Sequence, residues 1–356
     1  MIFQKKYTGF AIAIAWPETY CKQPGDWYDD FINHIGISKH HYYKVGHAAL
    51  VLVNEETKKC HYFDFGRYHS PFQTGRVRSE ITDDGLRIKT VAKISDDGLK
   101  IKNFEEILNE LQLNLECHGE GAIHASYGKI DFSKAFDKAT RMQQISPIHY
   151  GPFCYKGSNC SRFVNSAIRA GKPKWLSAFK LNFFVPLTPT PLNNVNSFGN
   201  RIILEKLLTN AAFCPTPISD KKILKKTLPE PARPKEISNT AQWLSGEGSG
   251  SWFEIQLHRK DRYIISMFDP NGILECGGEF TVKNKEPFNI KLPYSFEYLS
   301  HCQSVKIRQG KNIVEFTRKE KLQIRKNILP EVSNKRRENN RDSQKVLVNQ
   351  RELETI

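Results

Sequence analysis

A chain of 356 residues with 39% hydrophobic residues, 22 phenylalanines and five tryptophans can bury real cores, which excludes wholesale disorder. Its length exceeds what one core usually organises, so two domains are expected. The formal charge of +15 gathers largely at 221–226 and from Lys319 onward, including Lys335-Arg336-Arg337. It reads as solvated basic segments with no specific nucleic-acid partner.

The apolar run Phe10–Trp16 follows Lys5-Lys6 but is short. Trp16-Pro17-Glu18 stands where a secretory signal would carry small residues. A buried strand over Thr8–Ala15 fits better. Asp26–Ile35 has helical spacing, with Trp27, Phe31 and Ile35 on one face. Gly46–Asn54 reads as a strongly apolar strand, turning through Asn54–Lys59 into a second strand at His61–Phe65. A helix is expected over Phe104–Leu115, a strand over Ala122–Tyr127, and a helix from Asp131 or Ser133 to Gln144. The helix Ser158–Ala170 follows, closed by Gly171-Lys172-Pro173. The composition then turns proline-rich, with a short helix at Asn200–Leu208. Short β-like runs begin near Trp243: Trp252–Leu257, Tyr263–Phe268, Gly278–Val282, Phe288–Ile290, Phe296–Leu299 and Val305–Ile307. The stretch Asp269-Pro270-Asn271-Gly272 is a strong turn signal among them. The expected organisation is 1–186 as an α+β domain, 187–242 as a linker, 243–317 as a small all-β domain, and 318–356 as a disordered basic tail.

No stretch approaches the roughly 18 apolar residues of a membrane helix, so no membrane span is expected. The eight cysteines show no regular spacing and no CxxC pair. In a chain this long they suit reduced, mostly buried thiols and a cytoplasmic protein. Cys154 and Cys160 lack a matching second pair, so neither a metal nor another cofactor is expected.

The chemistry gathers in two segments. In Gly157-Ser158-Asn159-Cys160, Ser158 or Asn159 can cap a helix whose first turn holds Cys160. A thiol there feels the helix's positive end, which favours thiolate, and the backbone N–H can donate to an oxyanion. In Gly46-His47-Ala48, a histidine opens an apolar strand behind a glycine and becomes the base candidate for that thiol. The neighbouring strand offers an orienting group for the imidazole: Asp64 first, His61 in reserve. Its alternation puts His61 and Phe63 on one face, Tyr62 and Asp64 on the other. Tyr150 and Tyr155 could line a pocket. Arg67, Arg76 and Arg78 form either an anion-recognising rim or a solvated loop. Tyr155 and Arg67 are the substrate-binding candidates. His118-Gly119-Glu120 is a weak acid/base fragment.

The order of a strand histidine, an acid or histidine on the next strand, then Asn159-Cys160-Ser161-Arg162-Phe163-Val164 resembles permuted papain-like domains. It is similar to the lecithin:retinol acyltransferase group, with its Asn-Cys-Glu-His-Phe-Val motif, and to NlpC-type bacterial peptidases. The likeness covers about Val45–Arg169. It implies an antiparallel sheet with packed helices, Cys160 as acyl-accepting nucleophile, His47 as base, and a third polar residue at the Asp64 position. The whole chain also resembles bacterial proteins sharing the Phe63-Asp64-Phe65-Gly66-Arg67-Tyr68 stretch, from which no activity carries over. The function expected is a cysteine amidase or peptidase, or a thioester or ester hydrolase, acting on a peptide, amide or acyl substrate. The alternatives are an acyltransferase or a non-catalytic binding protein with a retained papain-like fold. The sequence leaves oligomeric state open.

Overall fold

The computed structural model describes residues 7–23, 34, 38–117, 119–205, 224–283 and 287–321. The expected helix at Asp26–Ile35, His118 and the tail beyond Lys321 lie outside the described residues.

The apolar Gly9–Trp16 run is strand β1, and every residue in it is buried. Short strands β2 (Tyr20–Lys22), β3 (Ser38–Lys39) and β4 (Tyr42–Lys44) form a small sheet in the order β2-β4-β3. Strands β5 (His47–Asn54), β6 (Cys60–Gly66) and β7 (Thr74–Ser79) continue the main sheet. Helix α1 (Phe104–Leu113), strand β8 (Ile123–Ile130), helix α2 (Phe132–Gln144) and strand β9 (Ile148–His149) follow. Helices α3 (Cys160–Ala170), α4 (Trp175–Phe183) and α5 (Pro191–Asn196) lead to strand β10 (Ile202–Leu204). The antiparallel order is β10-β8-β1-β5-β6-β7-β9.

Both faces of this sheet are covered, which explains why β1 and β5 read as unbroken apolar runs rather than alternations. Ala48, Leu50, Phe63 and Phe65 pack with Phe163, Val164 and Ile168 of α3. Ala49, Val51 and Tyr62 pack on the other face with Phe104, Ile107 and Leu108 of α1.

Strand β7 was not anticipated, because Arg76-Val77-Arg78 looks like a solvated loop. Both arginines are instead buried, each ion-paired to an aspartate. The expected helix at Asn200–Leu208 is contradicted too: Ile202–Leu204 is a strand pairing with β8. Helix α5 puts Val195 into the core of the first sheet, and a buried Asn194 donates to the Ser161 carbonyl at 2.9 Å.

Strands β11 (Gln242–Ser245), β12 (Gly250–Arg259), β13 (Arg262–Phe268), β14 (Leu274–Val282), β15 (Ser295–Phe296), β16 (Ser304–Gln309) and β17 (Asn312–Lys321) form the second sheet. Its antiparallel order is β11-β12-β13-β14-β17-β16-β15. The Asp269–Gly272 turn forms as expected: Asp269 Oδ1 accepts from the N–H of Asn271 and Ile273 at 2.9 and 2.8 Å. No strand forms at Phe288–Ile290; those residues pack on the sheet from a loop. Strand β17 was not expected, and it runs into the segment read as a disordered tail as far as Lys321; within it Arg318 donates to both oxygens of Asp84 in the first domain at 2.7 and 2.9 Å. The reading of a wholly reduced set of cysteines fails at Cys276 and Cys302, which form a disulfide. Their separation of 26 residues hides the pair from spacing arguments, and only the sheet brings them together.

Candidate active site

Asn159 stands in extended backbone just before α3, and its Oδ1 accepts the Arg162 N–H at 2.8 Å. This cap fixes where the helix starts and therefore where Cys160 sits. On β5, Gly46 adopts φ +74°, and a Cβ there would lie 2.9 Å from the Trp16 carbonyl oxygen. Only glycine turns the chain so tightly into the strand, and His47 is the next residue.

The register pairs Ala49 with Asp64. Since side chains alternate, His47 and Asp64 share a face. His47 Nε2 lies 3.5 Å from Asp64 Oδ2, in ion-pair range but off the line of a hydrogen bond. Trp16 stacks on the imidazole with centroids 5.9 Å apart and planes at 22°. Asp64 has no exposed surface, yet three donors hold it. Arg78 Nε and Nη2 approach its two oxygens at 3.0 and 2.6 Å, and the Tyr62 hydroxyl donates at 3.1 Å. Arg78 in turn stacks over the Tyr68 ring, 3.7 Å from its centroid, and donates to the Glu116 carbonyl at 2.9 Å.

These contacts decide the charges. Burial by itself would lower the His47 pKa; the Asp64 carboxylate and Cys160 sulfur beside the ring outweigh it and raise it to about 9. Burial works against an Asp64 anion, but Arg78 and His47 hold that carboxyl well below the usual range. Burial likewise opposes a Cys160 thiolate, and the imidazole, followed by the Ala48 N–H, brings its pKa below that of an ordinary thiol. Cys60 and Cys117, buried without such partners, are pushed up to about 12. Both shifts run in the direction of a thiolate at Cys160 and an imidazolium at His47.

A cavity of about 340 Å³ opens on this pair, lined by Cys160, His47, Tyr150, Tyr68 and Arg67 from the first domain and by Glu247 and Gly248 from the second. Tyr155 is 86% exposed and does not line it. Arg67 does, but its donors are engaged: Glu247 Oε2 at 2.7 Å, the Lys22 carbonyl at 2.5 Å and Cys21 Sγ at 3.0 Å. His61 points away and binds Glu80 at 3.0 Å, as the alternation requires. Sequence reasoning brought Cys160, His47 and Asp64 together, and it missed Arg78 as the clamp on Asp64. The signal available was the Arg-x-Arg alternation at 76–78, legible only once a facing carboxylate is known. No cluster of three or more potential metal ligands occurs among the described residues.

Residues 11–175 match the type VI secretion system effector TseH-like family. That span holds His47, Asp64 and Cys160. Residues 241–319 match a second family, the DUF6695 C-terminal domain, which coincides with the β11–β17 sheet. Among solved structures, the crystal structure of the type VI secretion system effector TseH is similar, at 18% identity and a TM-score of 0.35. The match covers 56% of this chain and 100% of that one. No curated protein matches. No described helix is long and apolar enough to cross a membrane.

Proposed function

We propose that the protein is an effector-type cysteine hydrolase, acting on an amide, ester or thioester through Cys160. The observation that carries this reading is the buried row Cys160–His47–Asp64, with the thiol pKa lowered and the imidazole pKa raised. Since His47 Nε2 faces Asp64, we assign the other ring nitrogen, Nδ1, to the thiol. The Cys160 thiolate attacks the carbonyl, and the Cys160 N–H at the start of α3 donates to the oxyanion. The His47 imidazolium protonates the leaving group; the resulting neutral imidazole then takes a proton from the water that releases the acyl group. Asp64 keeps the imidazole charged and oriented, and Arg78 keeps Asp64 ionised.

The permuted papain-like arrangement belongs to this proposal, supported by the antiparallel sheet, the capped nucleophile helix and the order of the three residues. The TseH-like match supports an effector role. Action after export would also accommodate the Cys276–Cys302 disulfide, since such bonds persist in oxidising surroundings.

The test is trapping of the acyl-enzyme with p-nitrophenyl acetate. The reading expects a burst of nitrophenol, an acetyl mass on the Cys160 peptide, and loss of both in Cys160→Ala. Acetylation spread over several residues, with no burst, would favour a non-catalytic binding protein instead.

A further inference from the structure

Helix α4 is folded inside out. Of its nine residues only Leu181 is buried. Trp175 is 79% exposed, Leu176 50%, Phe179 45% and Phe183 72%. At 100° per residue these four fall within about 100° of arc, on the side away from Leu181. Phe184 and Leu187 extend the patch past the helix end and are also exposed. Phe179 packs against Phe183 and Phe184 at 5.1 and 5.7 Å, so the rings form one surface rather than scattered side chains. An exposed apolar face of this size on a folded domain marks a binding surface.

The charges beside the helix indicate what it meets. A shallow groove of about 700 Å³ runs along its flank, lined by Lys138, Arg169 and Lys172 together with Ser166 and Asn182. Among the described residues no carboxylate lines it. Lys174 stands just before the helix and is exposed, and Lys180 lies at the edge of the aromatic face. An aromatic face with a cationic border is how an interfacial helix lies on an anionic bilayer: rings enter the acyl boundary, and cations stay at headgroup depth.

We propose that α4 and the 138/169/172 groove form a peripheral docking site for an anionic phospholipid surface, the apolar face entering the interface and the groove taking lipid phosphates. This site is separate from the Cys160 cavity, and it stands or falls independently of the hydrolase reading.

The test is co-sedimentation of the full chain with vesicles of phosphatidylcholine containing about one third phosphatidylglycerol, against pure phosphatidylcholine. The wild type is expected to bind the anionic vesicles, release as salt rises, and show quenching of Trp175 emission by brominated lipid, lost in Trp175→Phe. The exposed pair Phe179→Ser/Phe183→Ser is expected to weaken partitioning roughly tenfold, and Arg169→Glu/Lys172→Glu by a similar factor. All these side chains are surface groups, and thermal melts verify that the variants fold. Binding that persists unchanged in both double variants would move the membrane contact to another basic segment and overturn the proposal. So would absence of vesicle binding by the wild type, or self-association abolished by the phenylalanine variants, which would make a second copy the occupant.

Discussion

Arg78 grips both oxygens of Asp64, at 3.0 and 2.6 Å, in a site where neither side chain has more than 3% exposure. The pair is a buried salt bridge whose value lies in what it orders, since breaking such a pair costs more than forming it gains. Arg78→Met removes the bidentate partner of the buried Asp64, leaving His47 and Tyr62 beside it, and is expected to cost about 3–5 kcal/mol in urea unfolding. Arg78→Lys keeps a charge without the two-pronged geometry and should cost less. The pH dependence has a fixed sign. The depressed Asp64 pKa contributes stability above the usual carboxylate range, which is lost as pH falls through the folded-state value. In Arg78→Met the folded-state Asp64 pKa rises, so the acid-linked loss should shrink and level off at higher pH.

His47 should titrate late. Its folded pKa, raised to about 9, means the imidazolium persists through neutral pH in an NMR titration of the ring protons. The linked stability is fully present below the ordinary histidine pKa of roughly 6.5 and declines as pH rises through about 9. Asp64→Asn removes the main partner, so burial then dominates and the His47 midpoint should drop. A midpoint near 6.5 in the wild type would contradict the assigned charges.

The cap at Asn159 is expected to contribute about 1 kcal/mol, the usual loss when such a residue becomes alanine. Asn159→Asp retains the acceptor for the Arg162 N–H and should stay close to wild type in thermal unfolding. If Asn159→Ala and Asn159→Asp melt alike, the side-chain bond at 2.8 Å is not what fixes the helix start.

The two domains are joined through the cavity wall. Arg67 and Glu247 pair at 2.7 Å with side chains 4% and 0% exposed, and Glu247 Oε1 also accepts the Gln73 N–H at 2.9 Å. Gly248 donates its N–H to the Arg67 carbonyl at 2.9 Å. Glu247→Ala is expected to cost about 3–5 kcal/mol by stranding Arg67, and Arg67→Met/Glu247→Ala less than the sum of the singles. A double-mutant cycle in urea measures the coupling, and strict additivity would mean that the pair is not coupled.

Much of the first sheet could be read from the sequence because β1 and β5 are apolar on both faces, and α3 carries its own start signal in Asn159 and its own stop in Gly171. The Cys160–His47–Asp64 row was legible for the same local reasons: a cap, a glycine turn and an alternating strand. Arg76 and Arg78 were not, since a buried arginine looks like a surface one until its carboxylate is placed opposite by the fold. Strand β17 was not among the expected strands, and its end was placed in the tail because Arg318 and Lys321 look solvated, whereas Asp84 of the other domain neutralises both. The Cys276–Cys302 pair and the strand at Ile202–Leu204 depend on neighbours distant in sequence. Tyr155, near the nucleophile in sequence, is exposed to solvent, whereas Tyr150 lines the cavity.

The central claim is that Cys160 is held as a thiolate by His47. Its most direct measurement is the pH profile of iodoacetamide alkylation, followed cysteine by cysteine by mass spectrometry. Cys160 is expected to react fastest of the free cysteines at neutral pH and to stay reactive below the ordinary thiol pKa of about 8.5. His47→Ala is expected to shift the profile upward, slowing the neutral-pH rate roughly tenfold for each pKa unit gained. A Cys160 no faster than Cys21 or Cys154, with a profile that His47→Ala leaves in place, would contradict it.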